Sequence, residues 1–108
     1  MAPVETTPPP AQQWEPVSEG ITRTLLRAEP GEKRVLIKID AGKTYPSHAH
    51  ATPDEVFVVA GTYCDPGVED GRAFPAGSSL YYPPGTEHHA SSPAGSEGCT
   101  ILVWNLGR

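Results

Sequence analysis

The sequence predicts a single all-β domain, folded as a sandwich or a barrel of short strands. Its 108 residues can bury one hydrophobic core but not two. Short β-prone runs alternate with glycine and proline turn signals, which is typical of sandwiches and barrels. No segment of helical length repeats its apolar residues every 3.6 positions, so we expect no substantial helix.

The N-terminal half contains two clear strand predictions. The first covers residues 21–27 and is followed by a break at Pro30 and Gly31. The second covers residues 34–40, where apolar side chains alternate with Arg34, Lys38 and Asp40. Alternate residues of a strand share one face. We therefore expect an apolar inner face and a polar outer face here.

The C-terminal half contains two more strand predictions, over residues 78–82 and 99–104. The last run is rich in β-branched residues, and we expect it to return to the sheet beside the N-terminal strands. Residues 65–71 are acidic and glycine-rich, and we expect them to form an exposed connection.

The N-terminus has a different composition from the rest of the chain. Residues 1–13 contain four prolines and no apolar periodicity, which predicts a disordered tail ahead of a domain over residues 14–108. The N-terminus lacks the basic flank and apolar core of a signal peptide, and a cytoplasmic location is expected. Cys64 and Cys99 match no paired spacing, so we expect free thiols.

The charge balance argues against two classes of partner. Thirteen acidic against eight basic residues give a net charge of −5, and no Lys/Arg cluster is present. A nucleic acid or an anionic membrane surface attracts basic patches. We therefore expect neither as a partner.

The chemistry-bearing side chains are concentrated in two segments, which contain all four histidines of the chain. In the first, His48 and His50 are two residues apart, so in an extended strand both imidazoles face the same way. Asp54 and Glu55 follow. Residues 56–59 are apolar at every position, which predicts a strand buried on both faces and ended by a turn at Gly61.

The second segment supplies the remaining histidines. Pro83, Pro84 and Gly85 predict a tight turn just before His88. His89 is adjacent to His88 and would point to the opposite face of a strand, so a surface or dimer-contact role is favoured for it. The histidine pair, an acid and His88 together predict a metal site.

Both segments resemble the motifs of the cupin superfamily. The first resembles G-x5-H-x-H-x(3 or 4)-E-x6-G, and the second resembles G-x5-P-x-G-x2-H-x3-N, with Ser92 at the position of the asparagine. Counting back from Gly61 places the acidic ligand at Asp54, while the expected glutamate sits one residue late at Glu55. Two adjacent acids, the first of them the ligand, are typical of the ChrR-like cupin domain, which residues 14–104 resemble.

The resemblance implies a fold and a ligand set. The fold is the double-stranded β-helix, or cupin jelly-roll barrel, and the implied metal ligands are His48, His50, Asp54 and His88. Such a nitrogen and oxygen donor set suits one divalent transition metal, Fe, Zn, Ni, Mn, Cu or Co. Glu55 is then the candidate catalytic residue, as a base near the substrate or as a group that orients a histidine. Either acid remains open as the ligand.

Three functions follow from this site. The first is a mononuclear metal-dependent enzyme, of dioxygenase or isomerase type, that acts on a small organic molecule in the barrel. The alternative is a non-catalytic metal-binding or ligand-sensing cupin of the ChrR-like type, for which we expect no sigma-binding helical domain, since only the proline-rich residues 1–13 precede Trp14. A structural cupin with a vestigial site is disfavoured by the intact histidines. We also expect a homodimer, since small cupins commonly dimerise and two-fold dimers are the commonest oligomers.

Overall fold

The structure is a computed structural model that describes residues 2–46 and 49–107. The described part of the chain forms seven strands: β1 (Glu15–Ser18), β2 (Ile21–Glu29), β3 (Glu32–Ile39), β4 (Asp54–Tyr63), β5 (Phe74–Pro75), β6 (Ser79–Tyr82) and β7 (Cys99–Leu106). Its helical content is limited to two 3-10 turns, Pro9–Ala11 and Glu69–Gly71. The all-β prediction is therefore confirmed.

The strands form one antiparallel sheet in the order β1-β2-β3-β7-β4-β5, with β6 also paired to β4. The last strand, β7, thus lies between β3 and β4 and pairs with both along most of its length. The predicted return of the C-terminal run to the N-terminal strands is confirmed. Because β4 is bordered by β7 and β6, residues far apart in sequence meet beside Asp54, at the start of β4.

Cross-strand rows run from β3 through β7 to β4 on the inner face of the sheet. One row is polar and consists of Lys33, Asn105 and Asp54. The next row contains valines at the matching positions, and the rows beyond it contain isoleucine, valine and Cys99. The inner face therefore changes from apolar at one end of these strands to polar at the end where Asp54 lies.

The apolar rows make the hydrophobic core. Its buried members are Ile21, Ile37, Ile39, Val56, Val58, Tyr63, Leu80, Tyr82, Ala90, Cys99 and Ile101. Full burial of a valine or isoleucine side chain contributes roughly 1.5–3 kcal/mol. These alternating positions in β3, β4 and β7 therefore supply much of the free energy that stabilises the sheet beside the polar row.

Strand β4 differs from its prediction in two ways. Phe57 and Val59 are 45% and 46% exposed, so the run is buried on one face only; the prediction of burial on both faces is wrong, because the described chain leaves the outer face of β4 uncovered there. The strand also continues through Gly61 to Tyr63. Gly61 has φ +76°, and a Cβ added there would overlap the carbonyl oxygen of Gly98. This glycine permits close strand contact and does not end the strand.

The connection after β4 also differs from its prediction. Residues 66–71 are exposed or half-buried, as expected, but Asp65 is completely buried. It is held by a local contact with the Gly67 N–H and by two distant donors, the Tyr82 hydroxyl and the His89 N–H. The expectation of an exposed connection is therefore wrong for its first residue.

The N-terminal tail lies on the surface, and the two cysteines are not bonded to each other. Residues 2–13 bury no side chain, and Glu5 forms an ion pair with Arg27 at 2.9 Å; disorder of the tail stays a prediction. Cys64 and Cys99 are free thiols, as predicted. Within residues 2–46 and 49–107, no helix is both long and apolar enough to span a bilayer.

Candidate metal centre

A cavity of about 330 Å³ opens between the inner face of the sheet and two loop segments. The sheet supplies its wall from β1, β2, β3, β4 and β7, and the loops supply Tyr45, Pro46, His50, His88 and Ala90. This volume is at the small end of the range for ligand sites in proteins. The cavity reaches the polar row, so Asp54 and Asn105 lie in its wall.

Asp54 is the most buried acid in this cavity wall. It is the first residue of β4 and is 1% exposed. The Asn105 side chain donates a hydrogen bond from Nδ2 to Asp54 Oδ1 at 2.8 Å. His88 Nε2 lies 3.3 Å from the other carboxylate oxygen. A buried carboxylate is costly unless polar partners compensate it, and here each oxygen has one.

His88 and His50 are brought together by the turn that precedes His88. The Gly85 N–H donates to the His50 carbonyl oxygen at 2.6 Å. The two imidazole rings meet edge to face, with centroids 5.5 Å apart. His88 also stacks on Tyr82 at 4.2 Å. The structure thus places His50, Asp54 and His88 around one end of the cavity, while His48 lies outside the described residues.

The donor atoms that surround one metal ion have a defined spacing. Two ligands of one ion, each with a bond of about 2.1 Å, are about 3.0 Å apart at 90° and about 3.4 Å apart at 109°. The His88 Nε2 to Asp54 Oδ2 distance of 3.3 Å falls within this range. In residues 2–46 and 49–107, however, no group of three His, Cys, Asp or Glu side chains is close enough to hold an ion. The described pair therefore fits two neighbouring ligands and does not make a complete site.

The other two candidate residues lie elsewhere. Glu55 is half-buried and is not among the described residues that line the cavity. Successive residues of a strand point to opposite faces, and its neighbours across β6 and β7 are Tyr81 and Trp104. His89 is 40% exposed and its Nε2 lies 3.9 Å from Glu87.

A buried network behind His88 was not anticipated from the sequence. Tyr82 donates its hydroxyl hydrogen to Asp65 Oδ2 at 2.7 Å, and the Tyr63 hydroxyl lies 2.8 Å from that of Tyr82. A tyrosine has one hydroxyl hydrogen, so Tyr63 is the donor to Tyr82. Burial raises the pKa of both phenols, which keeps them protonated and fixes the ring on which His88 stacks.

Asp65 anchors this network through three donors. Its carboxylate accepts hydrogen bonds from the Gly67 N–H at 2.8 Å, the His89 N–H at 2.9 Å and the Tyr82 hydroxyl. The first contact is a local turn that an Asp-Pro-Gly sequence favours. That signal was present in the sequence, but the two distant donors had no local pattern.

Charged side chains line the cavity away from the histidines. Arg23 Nε donates to Glu15 at 2.8 Å, and its Nη1 donates to the Tyr45 hydroxyl at 2.8 Å. The hydrogen bond to Glu15 raises the pKa of Arg23. Lys33 lies in the polar row. The cavity therefore has an imidazole and carboxylate end, an apolar middle, and a wall that contains the Arg23–Glu15 ion pair and Lys33.

An antiparallel sheet whose inner face borders a histidine-bearing cavity is typical of the cupin class. The family described as "ChrR Cupin-like domain" matches residues 5–107, so the chain belongs to the ChrR cupin-like family. The sequence resemblance and the double-stranded β-helix fold are thereby confirmed. No curated protein matches the sequence significantly.

Solved structures agree on the fold. KdgF from a Halomonas species has a TM-score of 0.79 and 23% identity, and the match covers 96% of each chain. An acetylacetone dioxygenase from Acinetobacter johnsonii has a TM-score of 0.76 and 23% identity, over 98% of this chain and 74% of that one. Rhodobacter sphaeroides ChrR, an anti-sigma factor solved with SigE, has a TM-score of 0.73 and 22% identity, over 86% of this chain and 48% of that one.

Proposed function

We propose that the protein is a small metal-dependent cupin enzyme, of dioxygenase or isomerase type, that acts on a small organic molecule in the cavity. The proposed ligands of one divalent transition metal are His48, His50, Asp54 and His88. The observation that carries the proposal is the buried Asp54 carboxylate, which lies 3.3 Å from His88 Nε2 at the wall of a 330 Å³ cavity. Such a cavity is large enough for a small ligand beside an ion.

The roles of the chain's own groups follow from their contacts. Asn105 donates to Asp54 and leaves the second carboxylate oxygen directed at His88. Tyr82 stacks on His88 and is itself held by Asp65. A bound transition metal would supply Lewis-acid or oxygen-activating chemistry. The apolar side chains of β3 and β7 would exclude water from a bound ligand, which strengthens polar interactions there.

Glu55 has weaker support as the catalytic residue than Asp54 has as a ligand. Glu55 lies on the opposite face of β4 from Asp54, by strand alternation. The proposed role of Glu55 therefore does not include metal binding. A comparison of Asp54→Asn with Glu55→Gln tests this assignment.

Binding of oxygen-donor molecules tests the enzyme proposal. Acetylacetone and lactate should bind the metal-loaded protein, and neither should bind metal-free protein or His88→Ala, as measured by calorimetry. With Fe(II) under air, turnover of a dioxygenase substrate would raise oxygen uptake above the metal-only control. An isomerase would consume its substrate without oxygen uptake. Identical binding with and without metal would contradict the proposal.

The second candidate is a non-catalytic metal- or ligand-sensing domain. It is favoured by the family match and by the likeness to ChrR, which was solved with a sigma factor. A sensor would bind metal or ligand and leave every tested molecule chemically unchanged. A tetrahedral ion closed by four protein ligands, with no room for a further ligand, would favour this function over the enzyme.

A further inference from the structure

The wall of the cavity contains two basic side chains, and among the described residues only one of them is paired with an acid. Arg23 and Lys33 both line the cavity, as does Glu15. Glu15 is already paired with Arg23 at 2.8 Å. Among the carboxylates that the structure describes, none forms an ion pair with Lys33. A protein with a net charge of −5 thus presents a cationic side chain to its own ligand cavity.

Lys33 stands at a defined distance from the proposed metal ligands. Lys33, Asn105 and Asp54 occupy one cross-strand row on β3, β7 and β4. Neighbouring strands are about 4.8 Å apart, so the Lys33 and Asp54 backbones are about 10 Å apart. One small molecule in the cavity can therefore contact the region around Asp54 with one end and the Lys33 ammonium with the other.

The surface between these two ends is apolar. The row next to the polar row contains Val35, Val103 and Val56, all of which line the cavity. Their side chains offer no hydrogen bond to the middle of a ligand. The cavity thus matches a molecule with oxygen donors at one end, a short carbon chain, and an anionic group at the other end.

We infer that the cavity takes a small organic acid whose carboxylate binds Lys33 while its other oxygens face His50, Asp54 and His88. The inference rests on the proposed metal site. Hydrogen bonds between charged groups are stronger than those between neutral groups, so an acid is selected over its neutral amide. Arg23 lies on the same wall but is paired with Glu15, and its orientation is fixed by Glu15 and Tyr45.

The test uses two probes that differ only at the far end. 2-Oxoglutarate and its 5-N,N-dimethylamide share one 2-oxo acid head, and only the first carries a second carboxylate; the tertiary amide has no N–H that could cyclise onto the ketone. Their dissociation constants are measured by calorimetry on metal-loaded wild type, Lys33→Gln and Lys38→Gln, after the metal content of each protein is determined. Lys38 is the matched control because it is on β3, is absent from the described cavity lining, and stacks over Trp14 at 4.2 Å.

The expected result is a preference of about 10-fold for the acid over the amide in wild type and in Lys38→Gln. That preference should disappear in Lys33→Gln, with the metal content unchanged. Equal binding of the two probes, no binding of either, or an equal effect of the two lysine variants would overturn the inference while the metal site stands. Failure of the wild-type protein to take up metal would instead overturn the proposed function, and the inference with it.

Discussion

Asp54 and Glu55 are adjacent acids whose surroundings differ sharply. Asp54 is 1% exposed and contacts Asn105 and His88, whereas Glu55 is half-buried on the other face of β4. The motif spacing and the structure therefore favour the same acid as the proposed ligand. What the sequence could not supply was Asn105, since its contact joins residues 51 positions apart.

The first prediction compares the two acids directly. Asp54→Asn should weaken metal binding by roughly 100-fold or more, because it removes a charged ligand, while Glu55→Gln should change it by no more than about 3-fold. Competition with a coloured chelator at neutral pH measures both constants. A larger loss from Glu55→Gln would show that the register at this acid pair is misassigned.

The second prediction concerns the buried phenols of Tyr63 and Tyr82. Burial raises each pKa above the ordinary value of 10.0. The stability they contribute is therefore complete below pH 10 and is lost as pH rises further, because the unfolded chain releases these protons first. The loss approaches about 1.4 kcal/mol per pH unit for each phenol.

Denaturant unfolding between pH 9 and 11.5 checks this prediction. Tyr63→Phe should flatten the decline in the free energy of unfolding above pH 10. Tyr81→Phe is the control, since Tyr81 is 56% exposed, and it should follow the wild-type curve. Parallel curves for wild type and Tyr63→Phe would show that this phenol is not protected by burial.

Strand β4 is the element that connects the core to the site. It begins at Asp54, buries Val56 and Val58 between β7 and β6, and ends at Tyr63 in the buried network.

The alternation of β3 and the β-branched run of β7 were sufficient to predict those strands from sequence. Strand β1 was not predicted, since Glu15–Ser18 contains a proline and a single apolar residue. Its place is set by pairing with β2.

Gly61 provides the third prediction, because it marks the contact between β4 and the start of β7. An added Cβ would overlap the Gly98 carbonyl oxygen and lie 2.9 Å from Cys99 Cα, at φ +76°. Gly61→Ala should therefore lower the free energy of unfolding by more than about 3 kcal/mol. Gly31→Ala is the control, since its φ is +92° and no described heavy atom is within 4 Å of the added Cβ. It should cost about 1–2 kcal/mol. Equal losses in urea titrations would contradict the close contact.

At the scale of the whole molecule, the N-terminal tail and the outer face of the sheet are separate from the cavity. Residues 2–11 are all exposed. The apolar side chains of Phe57, Val59 and Tyr81 are exposed on the outer face of β4 and β6. Sequence composition anticipated the first feature, but an alternation of burial within an all-apolar run could not be read from composition.

The fourth prediction concerns these two regions together. Deletion of residues 1–11 should leave folding and metal content unchanged, since the tail buries no side chain.

Light scattering at micromolar concentration should show a homodimer, and Phe57→Lys should shift it to monomer if the outer face is the contact. Val4→Lys is the control, because Val4 is 88% exposed in the tail. A wild-type monomer would contradict the dimer.

The metal content of the purified protein tests the central claim most directly. Elemental analysis after loading at neutral pH should find close to one divalent transition metal per wild-type chain. His48→Ala and His88→Ala should lose it, whereas His89→Ala should retain it, because His89 is turned toward Glu87 at 3.9 Å. Absence of Fe, Zn, Ni, Mn, Cu and Co from the loaded wild type, or full metal content in His88→Ala, would contradict the account.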